Sequence, residues 1–419
     1  MVELKIIKFI FQLLYLKDYK MKFKLIIALL LIGAKTIAQE VKLAPTPPMG
    51  WMSWNLLSNK INEKDVKEIV DAMSSTGMVK AGYQYIFIDD CWQGGRDYRN
   101  NMIADPKKFP SGIKALADYI HSKGMKLGIY SDAAPLTCGG FTGSLNFEEQ
   151  DAKTFASWGI DYLKYDYCNA PEDVETAKKR YGIMAKALRN SGREIVLGIC
   201  EWGPREPWKW GAEIGGQSWR TTFDIRDKWI DKENKGGVGI YDVIDKNASL
   251  AQFSGPGKWN DGDMLVTGLR GYKGPSGDLG GIGCTDNEYQ SQMSMWCMLN
   301  SPIYASNDIR KMDEAAKNIL LNSEVIALNQ DPLGKQAERK INTPIWDVFI
   351  RPLANGDYAI AILNKSSIVQ DSKINFLELG LEGKYQVKDL WLHKIIGIAN
   401  KWTGKITSHE TKVFRLKKV

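Results

Sequence analysis

Tyr162-Leu-Lys-Tyr-Asp-Tyr-Cys168 is an apolar stretch that ends in charge, and its reading decides the fold. On an extended strand, successive side chains point to opposite faces. Lys164 and Asp166 therefore share one face, and Tyr165 and Tyr167 the other. A lysine two residues before a carboxylate, on the same face, keeps that carboxylate ionised. An ionised aspartate at the C-terminal end of a strand suits nucleophilic attack at a sugar carbon. It suits a structural ion pair equally well, and this stretch alone does not separate the two.

The pattern recurs on both sides. Upstream, Met49–Asn55 carries Trp54 near its end, Tyr85–Ile88 runs into Asp89-Asp90-Cys91-Trp92, and Lys126–Tyr130 runs into Ser131-Asp132. Downstream, Ile195–Cys200 runs into Glu201-Trp202, and Trp219–Asp224 ends in its own aspartate with Arg220 and Thr222 on the same face. Lys258–Asn260 leads into Asp261-Gly-Asp263, and Ser301–Ala305 closes the series. Helical segments separate most of these strands. Asn62 caps a segment with Val66, Ile69, Val70 and Met73 at helical spacing, and Ile113, Leu116, Ala117 and Ile120 mark the next. Phe147–Trp158 and Val174–Arg189 follow, and Thr285-Asp-Asn-Glu288 is a capping box. Between Trp202 and Asp224 there is room only for a short helical turn, and Trp229–Asn247 has no clear period. Strands alternating with helices imply parallel pairing, and eight such units predict a (β/α)8 TIM barrel over residues 41–330. In that fold chemistry sits at the C-terminal strand ends, where the carboxylates gather.

From Asp331-Pro-Leu-Gly onward the texture changes. Ile345–Pro352, Tyr358–Asn364, Ile374–Leu377, Tyr385–Trp391, Lys401–Thr407 and Thr411–Leu416 read as short strands with turns such as Asn355-Gly356. Residues 331–419 are expected to form a C-terminal antiparallel β-sandwich domain.

The net charge of +7 does not indicate a nucleic-acid partner. Residues 1–38 hold seven lysines against Glu3 and Asp18, so +5 sits there and +2 remains. Met21-Lys-Phe-Lys24, the apolar run Leu25–Gly33 and small residues up to Ala38 read as an export signal, with Met21 as the start and cleavage before Gln39. The apolar run is too short for a comfortable membrane span, so no stable membrane anchor is expected after cleavage, and the protein is expected in a periplasm or outside the cell. Six cysteines in an exported chain permit disulfides. With no CxxC pair and only three histidines, a cysteine or histidine metal site is not expected. Asp89-Asp90 lacks the spaced oxygen ligands that a calcium or magnesium site needs.

Two carboxylates on neighbouring strand ends are the minimum for glycoside hydrolysis. Asp166 and Asp224 are the candidates, and since each has a basic neighbour, charge alone does not assign their roles. Asp89, Asp90 and Glu201 can accept hydrogen bonds from sugar hydroxyls, and Trp54 and Trp202 can supply flat apolar walls or serve as core filler.

Taken together, PPMGWMSWN, YIFIDDCW, LGIYSD, YLKYDYC, CEW, WRTTFDI, NDGDML and SPIYASNDIR resemble glycoside hydrolase family 27, the α-galactosidase (melibiase) family. The resemblance runs from about Ala44 to the C-terminus. It implies Asp166 as nucleophile and Asp224 as acid/base, with retention of configuration and no metal or cofactor. It places Asp89 and Asp90 on the galactose 4- and 6-hydroxyls, Lys164 on the ring hydroxyls, and Glu201 with Arg220 near the 2- and 3-hydroxyls. Trp54, Tyr130 and Asp263 match further pocket residues. It also implies a disulfide between Cys138 and Cys168, while Cys91 and Cys200 lack their usual partners and are expected as free buried thiols. Gly262 stands where proline is usual, so that loop is expected to be looser. The intact Asp89-Asp90 pair and the Glu201-Trp202 pair favour galactose over the β-L-arabinopyranoside and α-N-acetylgalactosamine substrates of the same family. A non-catalytic galactose-binding protein is disfavoured, because both candidate acids are present.

Overall fold

The computed structural model describes residues 43–231, 236–275, 277 and 281–419. The proposed export signal lies outside the described residues. The barrel strands are β1 (Met49–Met52), β2 (Tyr85–Ile88), β3 (Lys126–Asp132), β4 (Tyr162–Asp166), β5 (Val196–Cys200), β6 (Ser218–Arg220), β7 (Trp259–Asp261) and β8 (Ile303–Ala305). They form one eight-stranded sheet in the order β7-β6-β5-β4-β3-β2-β1-β8, and every pairing is parallel. A parallel bridge between Leu265 and Ala305 brings the two ends of the sheet together. The fold is a (β/α)8 barrel.

The local reasons follow the sequence. Asn62 caps helix α1 (Glu63–Thr76) by accepting from the Asp65 N–H. Val66, Ile69, Val70 and Met73 form its buried stripe. Inside the barrel, Tyr85, Phe87, Tyr162 and Tyr304 make a second cluster with Met52, Val196 and Met264. Phe87 meets Tyr162 edge-on at 4.8 Å and Tyr304 at 4.9 Å. Glycine on the neighbouring strands makes room for these rings. A Cβ at Gly128 would lie 2.2 Å from Phe87, and one at Gly198 would lie 2.3 Å from Tyr162.

Three expectations change. Trp219–Asp224 is not one strand: β6 ends at Arg220, and Asp224 lies on a separate short strand, Asp224–Ile225, paired with Gly237–Val238. The chain leaves the barrel where the Thr221 N–H bonds to Asp261 O. The short helical turn expected before it is a helix of eight residues, Pro207–Ile214. The segment without clear period contains a helix, Ile240–Ala248, opened by the Asp242 carboxylate on the Gly239 N–H.

The C-terminal part has a six-stranded antiparallel sheet and a two-stranded partner. Two of its strands, Glu338–Asn342 and Lys394–Ala399, escape the sequence pattern, and the expected strand Ile374–Leu377 is the end of Gln370–Asn375 followed by a 3-10 turn. One sheet face joins the barrel's helical core through Phe349, Ala361 and Val413, and the other packs its own core around Ile360, Ile362 and Phe414. Arg351 from this sheet donates to the carbonyl of Cys297, in the last turn of helix Asp286–Met298. Among the described residues no helix is long and apolar enough to cross a membrane.

Candidate active site

The C-terminal ends of the barrel strands surround a cavity of about 180 Å³. Its floor is built around Asp166, the last residue of β4, which is only 5% exposed. One carboxylate oxygen accepts from the Tyr167 N–H at 2.9 Å, and the other from the Tyr130 hydroxyl at 3.0 Å. Burial pushes the Asp166 carboxyl up to about 7; Lys164 works against that rise, and the charge of Asp224 adds to it. Tyr165 and Tyr167 do face the other way, and both pack on Tyr181.

The partner of Lys164 is not Asp166. Its Nζ lies 2.8 Å from Asp89 Oδ2 on β2's end. Burial works against its charge, and the carboxylate of Asp89 outweighs it, so the ammonium pKa stands well above its ordinary value. Asp89 and Asp90 both reach the cavity although they are consecutive. Strand alternation fails here because Asp89 accepts from the Asp90 N–H at 2.8 Å, Asp90 accepts from the Cys91 N–H at 2.6 Å, and Cys91 has φ 74°. Asp90 also accepts from the Gly139 N–H at 2.7 Å, which ties it to the loop that carries Cys138. Burial raises the pKa of Asp90.

On the opposite side, Arg220 gathers two acids. Its Nη2 lies 3.0 Å from Asp224 Oδ1 and 2.9 Å from Asp263 Oδ2. Asp263 also accepts from the Ile225 N–H at 2.9 Å, so it pins the segment that bears Asp224. Asp224 itself is 56% exposed in its side chain and stands at the rim, while Asp166 lies on the floor.

Trp54, Tyr130, Asp263 and Trp202 all line the cavity. Glu201 and Arg220 do not. Arg220 borders a smaller void beneath it, with Lys164, Asp261 and Asp263. Glu201 is fully buried, and its oxygens accept from the N–H groups of Gly203 and Arg205 and from the Arg205 guanidinium. Trp202 has φ 60°, so the backbone reverses at that point and puts Trp202, not Glu201, on the cavity. The hydrogen bonds of Glu201 hold the turn that presents Trp202.

Cys138 and Cys168 are joined in a disulfide that lines the wall beside Asp166. The other four cysteines, including Cys91 and Cys200, are free and buried. Asp132, Asp166 and the two bonded sulfurs converge to within 4.8 Å, but the disulfide uses both sulfurs and removes the thiolates that a soft-metal site would need. Asp132 is fully buried and accepts from the Cys168 N–H at 3.0 Å. Burial, then the charge of Asp166, pushes it up to about 9.

The sequence pattern missed Asn55, Ile225, Arg226 and Met264 on the cavity wall. Asn55 and Met264 lie inside the stretches MGWMSWN and NDGDML, which was the available signal.

A barrel with a buried carboxylate on the floor, a second at the rim and hydroxyl acceptors beside them has the architecture of a glycoside hydrolase. The family described as Alpha galactosidase A matches residues 46–331, and the Alpha galactosidase C-terminal beta sandwich domain matches residues 344–416. An alpha-galactosidase A of Cellvibrio japonicus is 41% identical over 393 residues, covering 91% of this chain and 92% of that protein. Alpha-galactosidase I of Mortierella vinacea superposes with a TM-score of 0.84 at 33% identity, covering 90% of this chain and 98% of the other. The Saccharomyces cerevisiae enzyme solved with raffinose gives a TM-score of 0.83 at 27% identity, with coverage of 90% and 98%. This chain belongs to the alpha-galactosidase family, glycoside hydrolase family 27.

Proposed function

We propose that the protein is an exported, retaining α-galactosidase that removes terminal α-linked galactose from oligosaccharides or polysaccharides. Residues 41–330 act as the catalytic barrel and residues 331–419 as an appended sandwich. The observation that carries this reading is the division of labour between the two acids: Asp166 is buried and held by Tyr130, and Asp224 is half exposed at the rim. A nucleophile is best fixed and shielded; an acid/base must meet both a leaving group and an incoming water.

In the first step Asp166 attacks the anomeric carbon and Asp224 gives its proton to the departing glycosidic oxygen. In the second, Asp224 takes a proton from water, which displaces Asp166 and releases galactose with its configuration retained. Lys164, Asp89 and Asp90 form a charged, buried wall suited to adjacent sugar hydroxyls. The bulky Trp202 on the cavity wall supports galactose over α-N-acetylgalactosamine, whose acetamide needs extra space. The raffinose-bound yeast relative supports α-galactosyl oligosaccharides as the substrate class.

Proton NMR of the first-formed product from an aryl α-galactoside tests the mechanism. The α anomer is expected, and initial release of the β anomer would overturn the retaining assignment. Asp166→Asn should lose activity by a factor of about 10³ or more. The aryl α-galactoside should exceed the α-N-acetylgalactosaminide and the β-L-arabinopyranoside in kcat/KM, and the reverse order would reassign the specificity. Recovery of a mature protein that begins at Gln39 tests export.

A further inference from the structure

The cavity of about 180 Å³ is on the scale of a single pyranose ring. Whatever is bonded to that ring must lie outside, on the solvent side of Asp224, since that residue protonates the connecting oxygen. Phe223 immediately precedes Asp224 and is 39% exposed. It is not part of the cavity wall; it stacks on Trp202, which is, with ring centroids 6.5 Å apart and planes at 15°. The two rings form a continuous aromatic step from inside the cavity to its rim. Nothing in core packing calls for a phenylalanine here, because the chain has already left the barrel at Arg220 and Phe223 belongs to none of the buried clusters. Trp202 adopts a left-handed backbone to take its place in the step, a conformation that is uncommon outside glycine.

We propose that Phe223 is a specificity-determining residue, a platform for the sugar unit next to galactose. The ligand class is an α-galactoside whose neighbouring pyranose presents an apolar C–H face to the ring, as melibiose does with its glucose. The inference rests on the α-galactosidase reading above.

The test compares melibiose with α-galactosyl fluoride, which has no second ring. In Phe223→Ala, kcat/KM should fall about tenfold more on melibiose than on the fluoride. Phe223→Tyr, which keeps the flat face, should restore the wild-type ratio. Equal losses on both substrates would mean that Phe223 only buttresses Trp202, and would overturn the platform, as would no loss on either. Failure of the wild type to hydrolyse either compound would overturn the galactosidase reading itself, so the two failures are distinguishable.

Discussion

Replacing Cys138 and Cys168 together by serine should separate what the disulfide does for stability from what it does for the site. The bond closes a loop with a sequence separation of 30 residues. The chain-entropy relation for a ring of that size gives about 3.6 kcal/mol of stabilisation, through a more restricted unfolded state. With a urea m-value of about 3 kcal/mol/M, the unfolding midpoint should drop by about 1 M. The site should suffer as well. Cys138 Sγ lies 3.2 Å from the same Tyr130 hydroxyl that bonds Asp166, and the Cys168 N–H bonds Asp132. Loosening both ends lets Asp166, the proposed nucleophile, drift, and a displacement of about 1 Å can cost about 10² in kcat. Thiol titration in denaturant supplies the control: four free cysteines before reduction and six after, from the six in the chain. Reduced wild type and the double variant should unfold at the same urea concentration. The reasoning is refuted if oxidised wild type, reduced wild type and variant share one midpoint.

Three further outcomes follow from the buried acids. Burial pushes Asp166 up to about 7, and the proposed nucleophile must be ionised to attack, so kcat/KM should decline as pH falls through that value. Lys164→Met removes the opposing positive charge and should move this acid limb to higher pH; an unmoved limb would deny the coupling. Burial and the charge of Asp166 push the Asp132 carboxyl up to about 9, far above its ordinary value, so it binds its proton more tightly in the folded protein. Its contribution to stability is complete below its unfolded value and is lost as pH rises toward 9, so Asp132→Asn should flatten the decline in unfolding midpoint across that window. Glu201→Gln should change KM for an aryl galactoside by less than about twofold, whereas a rise of about tenfold or more would place Glu201 on the sugar.

Where sequence reasoning succeeded and where it failed has a single geometric cause. The barrel was legible because its strands are short apolar runs separated by capped, amphipathic helices, and periodicity reports both. Asp166 was legible for the same reason: it ends a regular strand, and alternation correctly puts it on the face of Lys164. The ion pair of Lys164 was not legible, because its partner Asp89 is 75 residues away and meets it only once the barrel has closed. Beyond the last strand residue, alternation carries no information. Cys91, Trp202 and Asp263 have φ of 74°, 60° and 75°, and each lies at or beside a cavity residue. Such a conformation costs on the order of 1–3 kcal/mol per residue and persists only where surrounding bonds over-determine it. Those bonds are present: Asp90 on the Cys91 N–H, Glu201 on the Gly203 N–H, and Asp261 on the Asp263 N–H. The carboxylates of this site thus have two tasks. Asp89, Asp166 and Asp224 line the cavity, while Glu201 and Asp261 hold the backbone turns that aim its walls, and residue type alone does not tell one task from the other.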